Sequence, residues 1–564
     1  MQRKPLIECV PNFSEGRNPE VIRQITAVIS AVEGVQLLDV DPGKATNRTV
    51  VTFVGAPEPV IEAAFLAIQK ASELIDMSQH KGEHPRMGAT DVCPLVPVAD
   101  ISLEETAEWA HRLAERVGRE LDLPIYMYEA AATRPERRNL AEIRSGEYEA
   151  LPKKLEKPEW RPDYGPAKFN AKSGATVIGA RDFLVAYNIN LNTTSVRRAN
   201  AIAFDVREQG RVLREGDPIT GTVIKDENGE PARMPGALKA VKAIGWFIEE
   251  YGVAQVSMNL TNITTTPVHT AFEACNESAE KRGMRITGSE LVGMAPLSVF
   301  LDAGRYFLQK QQRSTGVSEA ELIKIAVKSL GLDELAPFDP NKKIIEYQLR
   351  DAARERLVGM NLSAFADETA SESPAPGGGS IAAYVGALGA SLATMVANLS
   401  SHKPGWDERW KEFSDWAEQG QEIKKRLLHL VDEDTHAFNG VMDAFRLPKN
   451  TDAEKQVRKA AIQAATLQAI ETPRQVMQLA FDSFPLIRAM AEIGNPNSVS
   501  DAGVGALCAR AAIHGAFLNV KINTVGLTDK AHAAKLVQEG EQLCTEADRL
   551  EQEIMAIVHQ KIEG

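Results

Sequence analysis

Cysteine is scarce in this chain of 564 residues, and no two of its five cysteines form a Cys-x-x-Cys pair. An odd number of widely spaced cysteines argues against a disulfide framework and against a thiolate zinc site. The N-terminus lacks the apolar run of a signal peptide, because Glu8 interrupts the hydrophobic residues almost at once. We therefore expect a protein of the reducing cytoplasm.

An excess of positive charge is also missing. The chain has 64 Lys and Arg residues against 77 Asp and Glu residues, a formal net charge of -13. Nucleic-acid binders present a basic surface to phosphate groups, so this balance predicts no nucleic-acid partner and leaves room only for a local basic cleft. Aromatic residues make up 6% of the chain, which favours alanine-rich helices in part of it.

One run, residues 381–399, carries no charge and is nearly long enough to span a membrane. Nearly half of the run is Ala, Gly and Ser, and the preceding residues 373–380 lack the aromatic and basic anchors of a membrane helix. Small residues at this density suit a helix packed closely inside a bundle. We expect a buried helix and no membrane partner.

The first 130 residues alternate between strand and helix periodicities. The predicted elements are a strand at 6–10, a helix at 19–32, strands at 35–40 and 49–54, a helix at 57–75, a strand at 92–98, a helix at 103–121 and a strand at 125–128. The order β-α-β-β-α-β is the split β-α-β, or ferredoxin-like, arrangement, in which two helices cover one face of an antiparallel sheet. It predicts an α/β sandwich.

A second sandwich follows a Pro- and Lys-containing connection at 152–166. Its predicted elements are strands at 183–191 and 253–260 and helices at 195–208, 267–281 and 296–308, with an inserted loop or hairpin at 212–235. Two sandwiches side by side form a cleft, where ligands usually bind. Beyond residue 350 the pattern is helical, with helices predicted at 406–445, 453–480, 501–522 and 531–559 in an antiparallel bundle. The fold class is thus α+β followed by all-α.

Residues 80–91 form the densest polar run of the chain. His80, Glu83 and His84 have the spacing of an inverted zinc-protease motif, so a zinc hydrolase is one alternative. Gly82 and Pro85 argue against a continuous helix that would present both histidines to a metal. Without metal, His84 on a rigid loop suits a general acid or base, and the carboxylates of Asp39 and Asp41 are candidates to orient it. A surface turn rich in charge is the alternative.

In the helical part, one polar side chain falls on an apolar face. Inward positions spaced by three and four residues are Leu427, Val431, Asp434, Phe438, Val441 and Phe445, whereas Asp432 and Glu433 fall off this seam. A carboxylate that faces a bundle core is desolvated, which raises its pKa and makes it a proton carrier. A capped or ion-paired structural aspartate is the alternative. The turn at 377–380 offers free N–H groups to an anion.

Several longer runs resemble known families. Residues 8–16 (ECVPNFSEG), 38–43 (LDVDPG) with 47–49 (NRT), and 80–88 (HKGEHPRMG) closely resemble glutamate formimidoyltransferases. Residues 374–380 (PAPGGGS), 431–438 (VDEDTHAF) and 446–451 (RLPKNT) resemble formimidoyltetrahydrofolate cyclodeaminases. Together they resemble the bifunctional formimidoyltransferase-cyclodeaminase family over essentially the whole chain.

The resemblance implies a folate-dependent enzyme of histidine degradation. The first half would transfer the formimino group of N-formimino-L-glutamate to N5 of tetrahydrofolate, with His84 as the acid/base and Asp41 as its orienting carboxylate. The second half would close the ring to 5,10-methenyltetrahydrofolate and release ammonia, with Asp434 as the acid/base. Polyglutamated tetrahydrofolate is then the co-substrate, no metal is expected, and ring-like homo-oligomers are what the family suggests.

The resemblance also implies two folate-binding stretches and a set of domain boundaries. The first stretch is Gly165, Pro166, Ala167, Lys168, Phe169, Asn170, Ala171, Lys172, Ser173 and Gly174, and the second is Gly236, Ala237, Leu238, Lys239, Ala240, Val241, Lys242, Ala243, Ile244 and Gly245. The second stretch directly follows the 212–235 insert, which is longer than expected in the animal enzymes. The expected domains are transferase subdomains at 1–182 and 183–349, a linker at 350–358 and a cyclodeaminase at 359–564. A transferase joined to a non-catalytic helical scaffold is the remaining alternative.

Overall fold

The computed structural model describes residues 5–43, 46–82, 85–216, 221–249, 251–348 and 356–563. Backbone contacts divide the chain into two units. The first, residues 1–299 and 330–349, contains the strands described below, and the second, residues 300–329 and 350–564, is helical. The predicted change from mixed α/β structure to helices is therefore confirmed.

The N-terminal part of the first unit follows the predicted order of elements. It comprises β1 (Leu6–Cys9), β2 (Asn12–Phe13), α1 (Pro19–Ser30), β3 (Val35–Gly43), β4 (Arg48–Gly55), α2 (Pro57–Leu74), β5 (Thr90–Ala99), α3 (Leu103–Glu120), β6 (Ile125–Glu129), α4 (Leu140–Ile143), α5 (Glu147–Leu155) and β7 (Thr176–Ala180). The helix ends agree with local chemistry: Asn18 caps α1 before a proline, and Ser102 with Glu105 forms a capping box on α3.

These strands form one seven-stranded sheet. β3 pairs with β4, β1 and β2 each pair with β4 and β5, and all of these pairings are antiparallel. The expectation of a wholly antiparallel sheet is wrong, because β7 pairs in parallel with both β5 and β6. Ile7, Cys9 and Phe53 lie in the core with α1, α2 and α3. On the opposite face, α4 and α5 cover part of β5, β6 and β7, so the open part of this face lies over β1, β3 and β4.

The second part of this unit builds a four-stranded sheet in the order β13-β14-β8-β15, with every pairing antiparallel. Its elements are β8 (Val185–Leu191), α6 (Val196–Val206), β9 (Arg211–Val212), β10 (Arg214–Glu215), β11 (Thr222–Val223), β12 (Arg233–Met234), β13 (Val241–Ile248), β14 (Val253–Leu260), α7 (Val268–Glu280) and β15 (Ile286–Val292). The predicted insert is a small β structure in which β9 pairs with β12 and β10 with β11. The helices that follow are α8 (Leu297–Lys310), α9 (Glu319–Leu330), α10 (Pro340–Lys343) and α11 (Ile345–Gln348).

The helical unit is built around two alanine- and glycine-rich helices. Its further elements are α12 (Leu362–Thr369), α13 (Gly378–Ser401), α14 (Trp410–Arg446), α15 (Asp452–Asp482), α16 (Phe484–Ile493), α17 (Val499–Thr524) and α18 (Lys530–Glu563). α13 packs against α14 and α17. A Cβ atom on Gly389 would lie 2.9 Å from the carbonyl oxygen of Gly505, so glycine is what lets α13 and α17 approach so closely.

Two helical stretches in the described part of the chain are long and apolar enough to cross a membrane by length and composition: Gly378–Ser401 and Pro496–Thr524. The first contains the uncharged run 381–399. Residues buried within the protein make up 61% of the apolar window of the first stretch and 50% of that of the second. Core helices of soluble proteins share these properties, so the composition of the two stretches is weak evidence for a membrane.

Candidate functional sites

A cavity of about 940 Å³ lies in the first unit, on the open face of the seven-stranded sheet. Its floor includes residues of β1, β3, β4 and β5, and residues of β8, β13, β14 and β15 also line it. The two sheets therefore form a cleft, as the sequence predicts. Its apolar lining includes Val10, Val50, Val92, Pro94 and Tyr128.

Charged side chains of both signs line this cleft. The cations are Arg48, Arg138, Arg144, Arg181 and Lys242, and the carboxylates are Glu8, Asp39, Asp41, Glu129 and Asp182. Clustered cations in a partly enclosed cleft attract anionic substrates, although the whole chain is acidic. Such a site suits a small ligand that carries several carboxylates.

Asp39 and Asp41 project from β3 into the cleft. They lie two residues apart, opposite Thr52 and Val50 of β4, so both side chains point to the same face of the sheet. Burial raises the pKa of the Asp39 carboxyl, which the backbone N–H of Val40 opposes and the charge of Asp41 reinforces. Asp41, the predicted orienting carboxylate, therefore lies in the cleft.

The loop after α2 is held against the hairpin that follows β3. Residues 83 and 84, and with them the predicted acid/base His84, lie outside the described residues. Before them, the Asn47 side chain donates to the carbonyl oxygen of Lys81 (3.0 Å) and accepts from the backbone N–H of Gly16 (3.1 Å). A Cβ atom on Gly82 would lie 2.2 Å from the carbonyl oxygen of Thr46, so the loop touches this hairpin at a glycine.

His80 and Arg86 fix the same loop from either side of His84. The Arg86 guanidinium donates to Nδ1 of His80 (3.3 Å) and to the carboxylates of Glu147 (2.8 Å) and Glu149 (2.7 Å). The Nε2 atom of His80 lies 2.9 Å from the carbonyl oxygen of Asn47. Both ring nitrogens are therefore occupied, and the neutral imidazole has no lone pair left for a metal.

The zinc alternative loses its first ligand through these contacts of His80. Among the described residues, no group of three His, Cys, Asp or Glu side chains has the spacing of a metal site. Glu83 and His84 are not among those residues, so the evidence against a zinc site is that both ring nitrogens of His80 are occupied.

The first predicted folate stretch, 165–174, lies beside the His84 loop and outside the lining of the cavity. The backbone N–H of Met77 donates to Lys172, that of Ala89 to Ser173, and Gly88 forms a β-bridge with Gly174. Of the second stretch, 236–245, Lys242 lines the cavity. The assignment of these two stretches to folate stays a prediction.

In the sequence, Glu8 stands out only because it interrupts an apolar run. In the structure, Glu8 lies on the floor of the cleft. The side chain is 6% exposed, and burial raises its pKa to about 7 while the charge of Arg181 acts in the opposite direction. Arg144 was also missed: it binds the carboxylate of Asp91, which accepts the backbone N–H of Met87 (2.9 Å).

A second site lies in the helical unit, where Asp434 of α14 meets the first turn of α13. Its Oδ2 atom accepts the backbone N–H of Ser380 (2.9 Å). The Ser380 hydroxyl lies 3.2 Å from the same oxygen and 2.8 Å from the carbonyl oxygen of Val431, and its single hydrogen is shared between these two acceptors. Burial raises the pKa of Asp434, and the two donors of Ser380 oppose the shift. The helix N-terminus does receive an anion, which is the protein's own carboxylate.

The predicted seam on α14 is only partly correct. Leu427 and Val431 are buried and Asp434 is half-buried, but Phe438 and Phe445 are exposed, at 39% and 50%. Asp432, placed off the seam by its spacing, is 6% exposed. It is buried because its carboxylate accepts the backbone N–H groups of Leu357 (2.8 Å) and Val358 (3.2 Å), which makes it a structural residue.

The chain thus has two candidate sites, a charged cleft between two sheets and a desolvated carboxylate in a helical unit, an arrangement that suits a two-domain enzyme. Residues 6–181 match the formiminotransferase domain, N-terminal subdomain, residues 186–350 the formiminotransferase domain, and residues 361–542 the formiminotransferase-cyclodeaminase family. The chain is 43% identical over 543 residues to the mouse formimidoyltransferase-cyclodeaminase, covering 96% of each chain. The chain belongs to the formimidoyltransferase-cyclodeaminase family.

Each half also matches shorter relatives. A glutamate formimidoyltransferase of Streptococcus pyogenes is 42% identical over 304 residues, which cover 54% of this chain and 93% of that protein. A methenyltetrahydrofolate cyclohydrolase of Methylorubrum extorquens is 39% identical over 201 residues, which cover 36% of this chain and 97% of that protein. Both halves are therefore similar to complete proteins.

Proposed function

We propose that this chain catalyses two successive steps of folate-dependent histidine degradation. In the first, N5 of tetrahydrofolate attacks the formimino carbon of N-formimino-L-glutamate, the bond from that carbon to the glutamate nitrogen breaks, and glutamate leaves. In the second, N10 attacks the same carbon of 5-formiminotetrahydrofolate, and ammonia leaves to give 5,10-methenyltetrahydrofolate. The observation that carries the proposal is the match of both halves to a bifunctional enzyme over 96% of the chain.

The charged cleft suits the first step. Formiminoglutamate has two carboxylates and the folate tail has more, and the cations Arg138 and Lys242 line the cleft, where they can receive such groups. His84 moves the proton between N5 and the leaving amine, and Asp41 orients it. Support comes from the position of Asp41 in the cleft and from the clamp of Asn47 and Arg86 on the loop that carries His84.

The Asp434 site suits the second step. Ring closure needs a group that removes a proton from N10 and delivers one to the departing ammonia. A carboxyl whose pKa is raised by burial exchanges protons more readily near neutral pH than an exposed aspartate does. The hydrogen-bond donors of Ser380 hold Oδ2 of this carboxylate in place.

The same proposal covers the finer fold and the domain boundaries. In each sheet the four strands of the β-α-β-β-α-β unit lie side by side in the order second, third, first, fourth, as β3-β4-β1-β5 and β13-β14-β8-β15, which supports a ferredoxin-like arrangement of both subdomains. The matched ranges 6–181, 186–350 and 361–542 support boundaries near 182 and at 350–358. A cytoplasmic homo-oligomer completes the proposal, in keeping with the free cysteines of the described residues.

One coupled assay tests the function. Purified protein receives formiminoglutamate and tetrahydrofolate, and released glutamate, released ammonia and the absorbance of the methenyl product are followed together. The proposal predicts all three signals in a one-to-one-to-one ratio. Glutamate without ammonia would mean that the helical half is a scaffold, and no glutamate release at all would refute the transferase.

A further inference from the structure

Glu8 is placed as a binding group. It lies on β1 between Ile7 and Cys9, which are both fully buried in the core under the helices, so the alternation of the strand points Glu8 to the open face. There it lines the cavity opposite Val54 and Val96 of the neighbouring strands. The fold thus holds a carboxylate on the floor of the cleft.

That carboxylate has no hydrogen-bond donor within the part of the chain that the structure describes. Arg181, which also lines the cavity, acts on it through its charge, but its Nη1 atom donates to the carbonyl oxygen of Asp182 (2.9 Å). A carboxylate that is 6% exposed and lacks donors is costly to keep in a fold. Such a group is retained where a ligand supplies the missing donors.

The substrate has a matching edge. One side of the pterin ring presents the 2-amino group and N3–H, two parallel donors, next to the 4-oxo acceptor. A carboxylate accepts two parallel donors at once, and a guanidinium beside it matches the acceptor. We propose that Glu8 recognises the pterin of tetrahydrofolate by accepting hydrogen bonds from N3–H and the 2-amino group, with Arg181 facing the 4-oxo group. This inference rests on the transferase function proposed above.

The sheet register separates the pterin edge at Glu8 from Asp41, beside which N5 of tetrahydrofolate is expected to react. Asp41 pairs with Val50, and Val50 pairs with Asn12, so the end of the cleft that contains Asp41 lies level with Asn12. Glu8 precedes Asn12 by four residues, about 13 Å along the sheet at about 3.3 Å per residue. A pterin anchored at Glu8 therefore points N5 toward the Asp41 end of the cleft, where the His84 loop is held.

The position of Glu8 assigns it to the pterin and not to the other substrate. The two carboxylates of formiminoglutamate are repelled by a further carboxylate. Its formimino group, which carries N–H donors, is the reacting group and belongs at the Asp41 end of the cleft, about 13 Å from Glu8 along the sheet. Substitution of Glu8 is therefore expected to weaken the use of tetrahydrofolate and to spare formiminoglutamate.

The test measures glutamate release by the full chain. Glutamate is released in the first step, so this signal does not depend on the helical site. Glu8→Gln keeps the shape of the side chain but replaces one acceptor by a donor that opposes the pterin edge. We expect the KM for tetrahydrofolate to rise about tenfold or more, with the KM for formiminoglutamate and the ammonia release from supplied 5-formiminotetrahydrofolate unchanged. Glu120→Gln, on the outer surface of α3, is the matched control and keeps wild-type constants.

A substrate analogue with a methyl group in place of the 2-amino group makes the test specific. The wild type is expected to discriminate against this analogue by about tenfold or more in kcat/KM, and Glu8→Gln to lose most of that discrimination. Wild-type constants for Glu8→Gln, or a raised KM for formiminoglutamate instead, would overturn the inference.

A fall in kcat with unchanged KM for tetrahydrofolate and a lost limb in the pH profile would also overturn it, since Glu8 would then be a proton carrier. If the wild type itself releases no glutamate, the proposed function fails and not the role of Glu8 within it. The same preparation of Glu8→Gln must keep the wild-type KM for formiminoglutamate, which shows that the first unit is folded, and must release ammonia normally, which shows that the helical unit is folded.

Discussion

At the scale of single residues, the two sites depend on carboxyl groups that the fold desolvates. Burial desolvates Glu8, which accepts no hydrogen bond among the described residues, whereas Asp434 is within hydrogen-bond distance of two donors of Ser380. Glu8 is thus expected to cost stability when it is ionised. Asp434 is expected to be held in a defined position and to titrate at a pH that its neighbours set.

The first prediction concerns the stability cost of Glu8. Its pKa rises from 4.5 to about 7 on folding, so the native state binds the proton more tightly over that range and stability falls as the pH rises through it. Glu8→Gln has no carboxyl group at this position and therefore does not lose this stability. The difference in the free energy of unfolding, variant minus wild type, should increase by about 3 kcal/mol between pH 4.5 and pH 7. Urea unfolding of both proteins across this range measures the difference, and parallel pH curves would contradict it.

The second prediction concerns Ser380. Ser380→Ala removes one of the two donors that lower the pKa of Asp434, so the pKa should rise further. If the ionised carboxylate starts ring closure, the acidic limb of the ammonia-release profile moves to higher pH by about one unit, since a hydrogen bond to a charged group contributes about 1.5–3 kcal/mol. Ser391→Ala, whose hydroxyl donates within α13 to Ala387, serves as the control. A profile that keeps its wild-type limb would contradict this role.

Sequence reasoning found Asp434 and missed Glu8 for a physical reason. On a helix, a polar residue among apolar ones at spacings of three and four is visible, and only one face is buried. On a strand, the period of two gives the same pattern for a polar outer face and for the floor of a cleft. Which face of β1 is enclosed depends on a second sheet that begins more than 170 residues later.

At the scale of elements, the start of α13 decides the geometry of the helical site. A Cβ atom on Gly379 would lie 2.2 Å from Oδ1 of Asp434, so no side chain fits there without moving the carboxylate or the helix end. The sequence predicts an anion site at this glycine-rich turn. In the structure, the anion beside the turn is the carboxylate of Asp434.

Gly379→Ala is therefore expected to lower ammonia release at least about tenfold, because displaced catalytic groups lose alignment, and to leave glutamate release unchanged. Gly440→Ala on α14 is the control, since a Cβ atom there meets nothing within 4 Å. Equal activities of the two variants would refute the geometric claim.

Asp432 and Asp434 lie two residues apart on α14. We expect Asp432 to contribute to stability and Asp434 to contribute to catalysis. Asp432→Ala leaves the backbone N–H groups of Leu357 and Val358 without their acceptor, which should destabilise the helical unit by about 1–3 kcal/mol. Ammonia release at 25 °C should survive and fail at a lower temperature than in wild type. Asp443→Ala, at a side chain 70% exposed, is the control. A loss of activity with unchanged thermal unfolding would make Asp432 part of the chemistry.

The sequence predicted the long helices and seven of the described strands, but it missed β2, β7, β13 and β15. β13 alternates buried and exposed residues from Val241 to Trp246, yet Lys242 and Gly245 masked the pattern. β7 is buried throughout, as a parallel strand between two neighbours is. Its residues Thr176–Ala180 contain a glycine and few large side chains, so local periodicity was too weak to define it.

At the scale of the whole molecule, an acidic chain carries two unlike sites in two unlike units. The net charge of -13 does not describe the cleft, whose lining brings together cations from distant parts of the first unit. The helical unit supplies a desolvated aspartate on a scaffold of small residues. Each half matches a protein that is complete without the other, which is why the two activities are expected to be separable.

The most direct test of this account measures glutamate and ammonia release separately for two variants of the full chain. His84→Ala should release no glutamate from formiminoglutamate and should still release ammonia from supplied 5-formiminotetrahydrofolate. Asp434→Ala should show the reverse, and a mixture of the two should restore the complete sequence to the methenyl product. Loss of both activities in either folded variant would contradict the assignment of two independent sites.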